Sequence, residues 1–104
     1  MSALLVQTVC GARPEAMAIA RAAVEAGLAA CAHVDAVASV YRWQGAVEEA
    51  EEWRVWLKTT PACWEPLAAL IRARHSYEEP ALIAWPIERG APSYLAWIEA
   101  NAAG

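Results

Sequence analysis

In Glu52-Trp53-Arg54-Val55-Trp56-Leu57-Lys58-Thr59, Trp53, Val55 and Leu57 fall on one face and Arg54, Trp56 and Lys58 on the other. Period-two alternation is the mark of a strand whose two faces meet different surroundings. Toward the N-terminus, Leu28 to Trp43 predicts a long extended stretch with Val40, Tyr41 and Trp43 at its β-rich end, and Gln44-Gly45 offers a turn before Ala46. The two runs together predict one long β-hairpin. The cluster Glu48-Glu49-Ala50-Glu51-Glu52 then reads as its solvated end or edge.

The elements on either side follow from the same kind of signal. Ala3 to Val9 is a short aliphatic and β-branched run, expected as a strand buried on both faces. A helix is expected from Pro14, with Glu15 at the positive end of its dipole, apolar residues Met17, Ala20, Val24 and Leu28 at helical spacing, and Gly27 at its end. After the hairpin, Thr60-Pro61 predicts a helix start with Thr60 as N-cap. Pro66 means that this helix either kinks or begins nearer Trp64. Ala81 to Pro86 predicts a last strand and Pro92 to Asn101 a last helix.

The order βαββαβ plus a C-terminal helix suits an α+β, ferredoxin-like sandwich, one antiparallel sheet with two helices on one face. With 104 residues, residues 1–104 are expected to form a single domain.

The hydrophobic fraction of 59% excludes disorder, although much of it is alanine. A net charge of −4 leaves no basic surplus for a phosphate backbone, so nucleic acid is not an expected partner. Charges interrupt every apolar run well short of the roughly 18 residues a membrane span needs, so no membrane partner is expected. Met1 to Val6 lacks the features of a signal peptide, and a cytoplasmic location is expected. Cys10, Cys31 and Cys63 are too scattered for a zinc or redox motif and suit reduced thiols.

His75 follows a helix end and is close in sequence to Tyr77, Glu78 and Glu79, which could supply oxygen ligands; the alternative is a histidine that only caps the helix. Cys31 and His33, two apart on a strand, share a face as a soft divalent or cuprous ion requires, or are a buried thiol beside an unrelated histidine. The Val9-Cys10-Gly11-Ala12-Arg13 turn opens on a helix N-terminus, where an anion could bind, or merely reverses the chain. No nucleophile, base and acid assemble into a triad. Six tryptophans exceed what so small a core needs, which predicts that other subunits cover the sheet.

Five stretches in order, Leu28-Ala29-Ala30-Cys31, Ser39 to Glu49, Leu57-Lys58-Thr59-Thr60, His75-Ser76-Tyr77-Glu78-Glu79-Pro80 and Tyr94 to Ile98, resemble the CutA family of divalent-ion tolerance proteins. The resemblance runs from about Gln7 to Ile98. It implies a ferredoxin-like protomer in a homotrimer shaped like the PII signalling proteins, with each hairpin extending a neighbour's sheet. It also implies a non-enzymatic role in copper and divalent-cation tolerance, no required cofactor, and possible binding of Cu²⁺ or Zn²⁺.

The family's proposed ligands are a cysteine just before a first-strand threonine and histidines in a His-Pro-Tyr segment. With the threonine at Thr8, the cysteine position holds Gln7; His75 remains, preceded by Arg74 and followed by Ser76 in place of proline. The metal set expected here is therefore His75 with Glu78, Glu79, Cys31 and His33 as helpers. By analogy with PII trimers, an alternative role is a signalling scaffold whose intersubunit cleft takes a small ligand or protein partner through Arg13, Tyr41, Lys58 and Tyr77. An acylphosphatase-like enzyme, resting on the Arg13 turn, lacks that family's glycine-rich anion loop.

Overall fold

The hairpin dominates the molecule. Strands β2 (Cys31–Trp43) and β3 (Ala46–Thr59) pair without a bulge from Cys31 opposite Lys58 to Trp43 opposite Ala46. Gln44 and Gly45 turn the chain with φ of 49° and 83°. Two successive positive φ values give the turn whose twist matches that of its strands, and the second is where glycine costs least. The computed structural model describes residues 3–104; Met1 and Ser2, part of the stretch read for a signal peptide, lie outside the described residues.

Strand β1 (Leu4–Cys10) pairs antiparallel with β3 on one side and with β4 (Leu82–Pro86) on the other, so the sheet runs β2-β3-β1-β4. This is the ferredoxin-like order expected from the sequence. Burial on both faces of β1 is not found. Val6, Thr8 and Cys10 are buried while Leu4, Leu5, Gln7 and Val9 are half-buried. The reason is that α1 (Arg13–Glu25) and α2 (Trp64–Arg74) pack on one face only, where Ile19, Ala23, Leu67 and Ile71 close on Val6, Val55 and Leu57. On the other face, Tyr94 of α3 (Pro92–Asn101) reaches Lys58 and Cys31.

Pro66 is accommodated by starting the helix late. Pro61–Cys63 forms a short 3₁₀ turn and α2 begins at Trp64, so Pro66 lies in the first turn, where an N–H would have no intrahelical acceptor. Thr60 does not cap this helix. Its hydroxyl donates instead to the Ala102 carbonyl at 3.0 Å, as does the Cys63 thiol at 3.0 Å. These bonds tie the C-terminal segment over a small second core of Ala3, Ala30, Cys63 and Ile98. The three cysteines are free thiols.

Beyond Val37 and Glu52 the hairpin leaves the body as an arm. Val40, Trp43 and Val47 on it are 68%, 50% and 63% exposed.

Candidate functional site

Three chain segments converge at the C-terminal end of β1. The strand stops at Cys10, α1 starts at Arg13, and the chain leaving α2 at His75 crosses the strand end on its way to β4. Gly11 leaves room for the Tyr77 side chain, whose hydroxyl a Cβ there would meet at 2.9 Å.

His75 is the centre of this convergence, with a side chain that is 0% exposed. The Tyr77 backbone N–H donates to its Nδ1 at 3.1 Å, so Nδ1 is the acceptor and Nε2 carries the hydrogen. Nε2 donates to the Val9 carbonyl at 2.9 Å. Around the ring stand the Cys10 Sγ, 3.7 Å from Nε2, and a Glu15 carboxylate oxygen, 3.6 Å from Nδ1. The same Glu15 oxygen accepts from the Ser76 backbone N–H at 3.3 Å. One donor atom from each of Cys10, Glu15 and His75 lies within 4.8 Å of the other two. Burial, then the charges of Glu15 and Glu52, push the Cys10 thiol up to about 12, so without a cation it is the neutral thiol.

Beside this cluster, the Tyr77 hydroxyl donates to a Glu52 carboxylate oxygen at 2.7 Å. Burial first and the carboxylate second raise the Tyr77 pKa above its ordinary value. Glu52 is therefore not a solvated end of the hairpin: it is buried, because Tyr77 folds over Gly11 onto it. Glu48, Glu49 and Glu51 are exposed as expected. On the far side of Tyr77 lies an open groove of about 980 Å³ between the arm and residues 76–81, with Tyr41, Trp43, Glu78 and Glu79 in its lining.

The expected metal set is dispersed. Glu78 and Glu79 line the groove and are not in the His75 cluster. Strand β2 runs in the same direction as β1, so Cys31 is level with Leu5, and His33 with Gln7, through their shared β3 partners Lys58 and Trp56. Cys31 thus sits about five residues, roughly 17 Å of strand, from Cys10. Its Sγ is 3.6 Å from the Tyr94 hydroxyl.

Within one chain the residues expected in an intersubunit cleft stand in separate places. Tyr41 and Tyr77 share the groove, whereas Arg13 lies over the Trp53 ring at 6.0 Å and Lys58 donates to the Tyr94 hydroxyl at 3.1 Å. The cause is again register, which sets Lys58 level with the start of β1. Sequence reasoning read Cys10 only as part of a turn and Glu15 only as a dipole partner. The signal that could have found them is topological: in a split βαβ unit the α2–β4 link must return past the end of β1.

The family model described as CutA1 divalent ion tolerance protein matches residues 4–101. The chain belongs to the CutA1 family. A divalent-cation tolerance protein CutA of Thermus thermophilus is 41% identical over 87 residues, 83% of this chain and 84% of that protein. The mouse protein CutA is 39% identical over 90 residues, 86% of this chain, and the chain spans about half (51%) of that relative's length. The crystal structure of CutA from Xylella fastidiosa superposes with a TM-score of 0.94 at 32% identity, covering 98% of this chain and 99% of that one. The CutA1 relatives are named as tolerance proteins, not as enzymes.

The cytoplasmic expectation is overturned by the same comparisons. The Archaeoglobus fulgidus CutA structure is described as periplasmic (31% identity, TM-score 0.93, 96% of this chain and 98% of that one). The Arabidopsis thaliana CutA relative is described as chloroplastic (38% identity over 82 residues, 78% of this chain and 45% of that protein). Among the described residues no helix is long and apolar enough to cross a membrane.

Proposed function

We propose that this chain serves divalent-cation tolerance as a non-enzymatic homotrimer that binds the cation. The observation that carries the reading is the match to the CutA1 divalent ion tolerance family over residues 4–101. Assembly is supported by the arm. β2 is an edge strand of the sheet, and the arm it shares with β3 leaves Val40, Trp43 and Val47 exposed. An exposed apolar edge is a template for pairing with another chain. Sheet extension by a neighbouring copy covers such an edge.

The test has two parts. Expression in a host lacking its own CutA is expected to restore growth in excess divalent cation, and growth no better than with empty vector refutes the tolerance role. Light scattering on the purified protein is expected to give three times the chain mass of 11.2 kDa. A mass equal to one chain at micromolar concentration refutes the assembly.

A further inference from the structure

We infer that Cys10, Glu15 and His75 form a binding site for one thiophilic divalent cation of the Zn²⁺ class, built at the end of β1, in which only His75 comes from the ligand positions of the family resemblance. The cysteine position of that resemblance is closed to this chemistry here. Gln7 is three residues before Cys10 and, by strand alternation, on the opposite face of the sheet from Cys10 and His75. The thiol that does meet His75 is that of Cys10.

The donor set decides the class of cation. A thiol sulfur, an imidazole nitrogen and a carboxylate oxygen suit Zn²⁺ and its borderline-soft neighbours, while Mg²⁺ and Ca²⁺ need oxygen cages. In a tetrahedral zinc site adjacent donors are about 3.3–3.6 Å apart, given metal–ligand bonds of about 2.0–2.3 Å. The 3.6 Å between the Glu15 oxygen and Nδ1 is already close to that, and the whole donor set spans no more than 4.8 Å. Glu15, in the first turn of α1, presents to the ring the same oxygen that accepts from the Ser76 N–H.

Ligation through Nδ1 preserves most of what the empty site has. Nε2–H stays on the Val9 carbonyl at 2.9 Å, the backbone anchor that fixes tautomer and ring orientation in histidine metal ligands. Only the Tyr77 N–H has to leave Nδ1, and it lies in an exposed bend where water replaces the bond. The Cys10 sulfur forms its metal bond as its S–H bond breaks, and the proton passes to solvent by way of Glu15. With three protein ligands, the fourth position is left to water.

This inference deepens the tolerance reading and rests on it for the choice of a divalent cation, but the two fail separately. Growth that is not restored, with the site intact in purified protein, removes the tolerance role alone. The site is tested on chelator-treated full-length protein with Co²⁺ as spectroscopic probe and Zn²⁺ as competitor. The expected result is one Co²⁺ per chain with a thiolate-to-cobalt charge-transfer band, displaced by Zn²⁺.

Cys10→Ala removes the band and weakens Zn²⁺ binding by at least about tenfold. Glu15→Gln weakens binding and keeps the band, and Cys31→Ser and the Glu78→Gln, Glu79→Gln double variant leave both unchanged. Cys10→Ala and Glu15→Gln carry the test, since His75→Gln also removes two buried hydrogen bonds and can unfold the strand end. A wild-type protein with no thiolate band, Zn²⁺ affinity unchanged in Cys10→Ala, or a band lost in Cys31→Ser overturns the proposal.

Discussion

Strand β3 passes through two environments, and its two halves behave differently under one alternation. In the body, Val55 and Leu57 are fully buried against α1 and α2, and Thr59 is buried with its hydroxyl donating to the Leu28 carbonyl. In the arm, Val47 is exposed although the backbone register with β2 continues unbroken to Ala46 opposite Trp43. The ladder is therefore sustained locally by paired backbone groups and a matched turn, while burial is supplied by whatever packs on a face. Pairing and burial are separable, and the arm has the first without the second in a single chain.

The sharpest way to break this comparison is at Leu57. Replacing it with alanine opens a cavity where β3, α1 and α2 meet, and is expected to cost about 2–5 kcal/mol in urea denaturation at fixed chain concentration. The same change at exposed Val47 is expected to alter the stability of the isolated chain by no more than about 0.5 kcal/mol. A larger cost at Val47 that appears only at chain concentrations where the protein is trimeric would mean that a neighbouring copy covers the arm.

At the boundary between the halves, Tyr77→Phe leaves Glu52 buried without its donor. The expected loss is about 1.5–3 kcal/mol, the range for a hydrogen bond to a charged group. In a double-mutant cycle with Glu52→Gln, a coupling energy near zero would show that the pair contributes nothing. At the tip, Gly45→Ala forces a side chain onto φ of 83° and is expected to cost about 1 kcal/mol, read as a shift of the urea midpoint.

The smallest effect is expected at the exposed pair Asp35–Arg54, where two guanidinium nitrogens reach the carboxylate at 3.2 Å and 2.6 Å. The hydrogen bond from Arg54 holds the Asp35 carboxyl below its usual range. A depressed carboxylate pKa adds stability above the unfolded value, near pH 4, and loses it as pH falls through the folded value. Asp35→Asn should therefore be slightly destabilising at pH 7 and less so at pH 3. An effect of the same size at both pH values would assign it to packing.

Much of this architecture was legible in the chain because its signals are local. The alternation of Trp53 to Thr59, the Gln44-Gly45 turn and the Pro92 helix start each depend on a few adjacent residues and on backbone geometry. Errors came where a neighbour distant in sequence competed. Thr60 stands where a cap is expected, but the Ala102 carbonyl takes its hydroxyl; Glu52 stands in an acidic run, but Tyr77 covers it. Glu78 and Glu79 are close to His75 in sequence, yet they turn into the groove while Cys10, 65 residues away, comes to its ring.

By itself, then, the sequence determined the elements, their order, the hairpin and the likeness to the CutA1 family, since period and turn chemistry act over one or two turns of chain. Only the tertiary structure decided which donors meet. The sheet order β2-β3-β1-β4 sets Cys31 and His33 level with the start and middle of β1, and sends the chain after α2 across the end of β1. Proximity across a sheet depends on register and direction, which the spacing of residues along the chain does not encode.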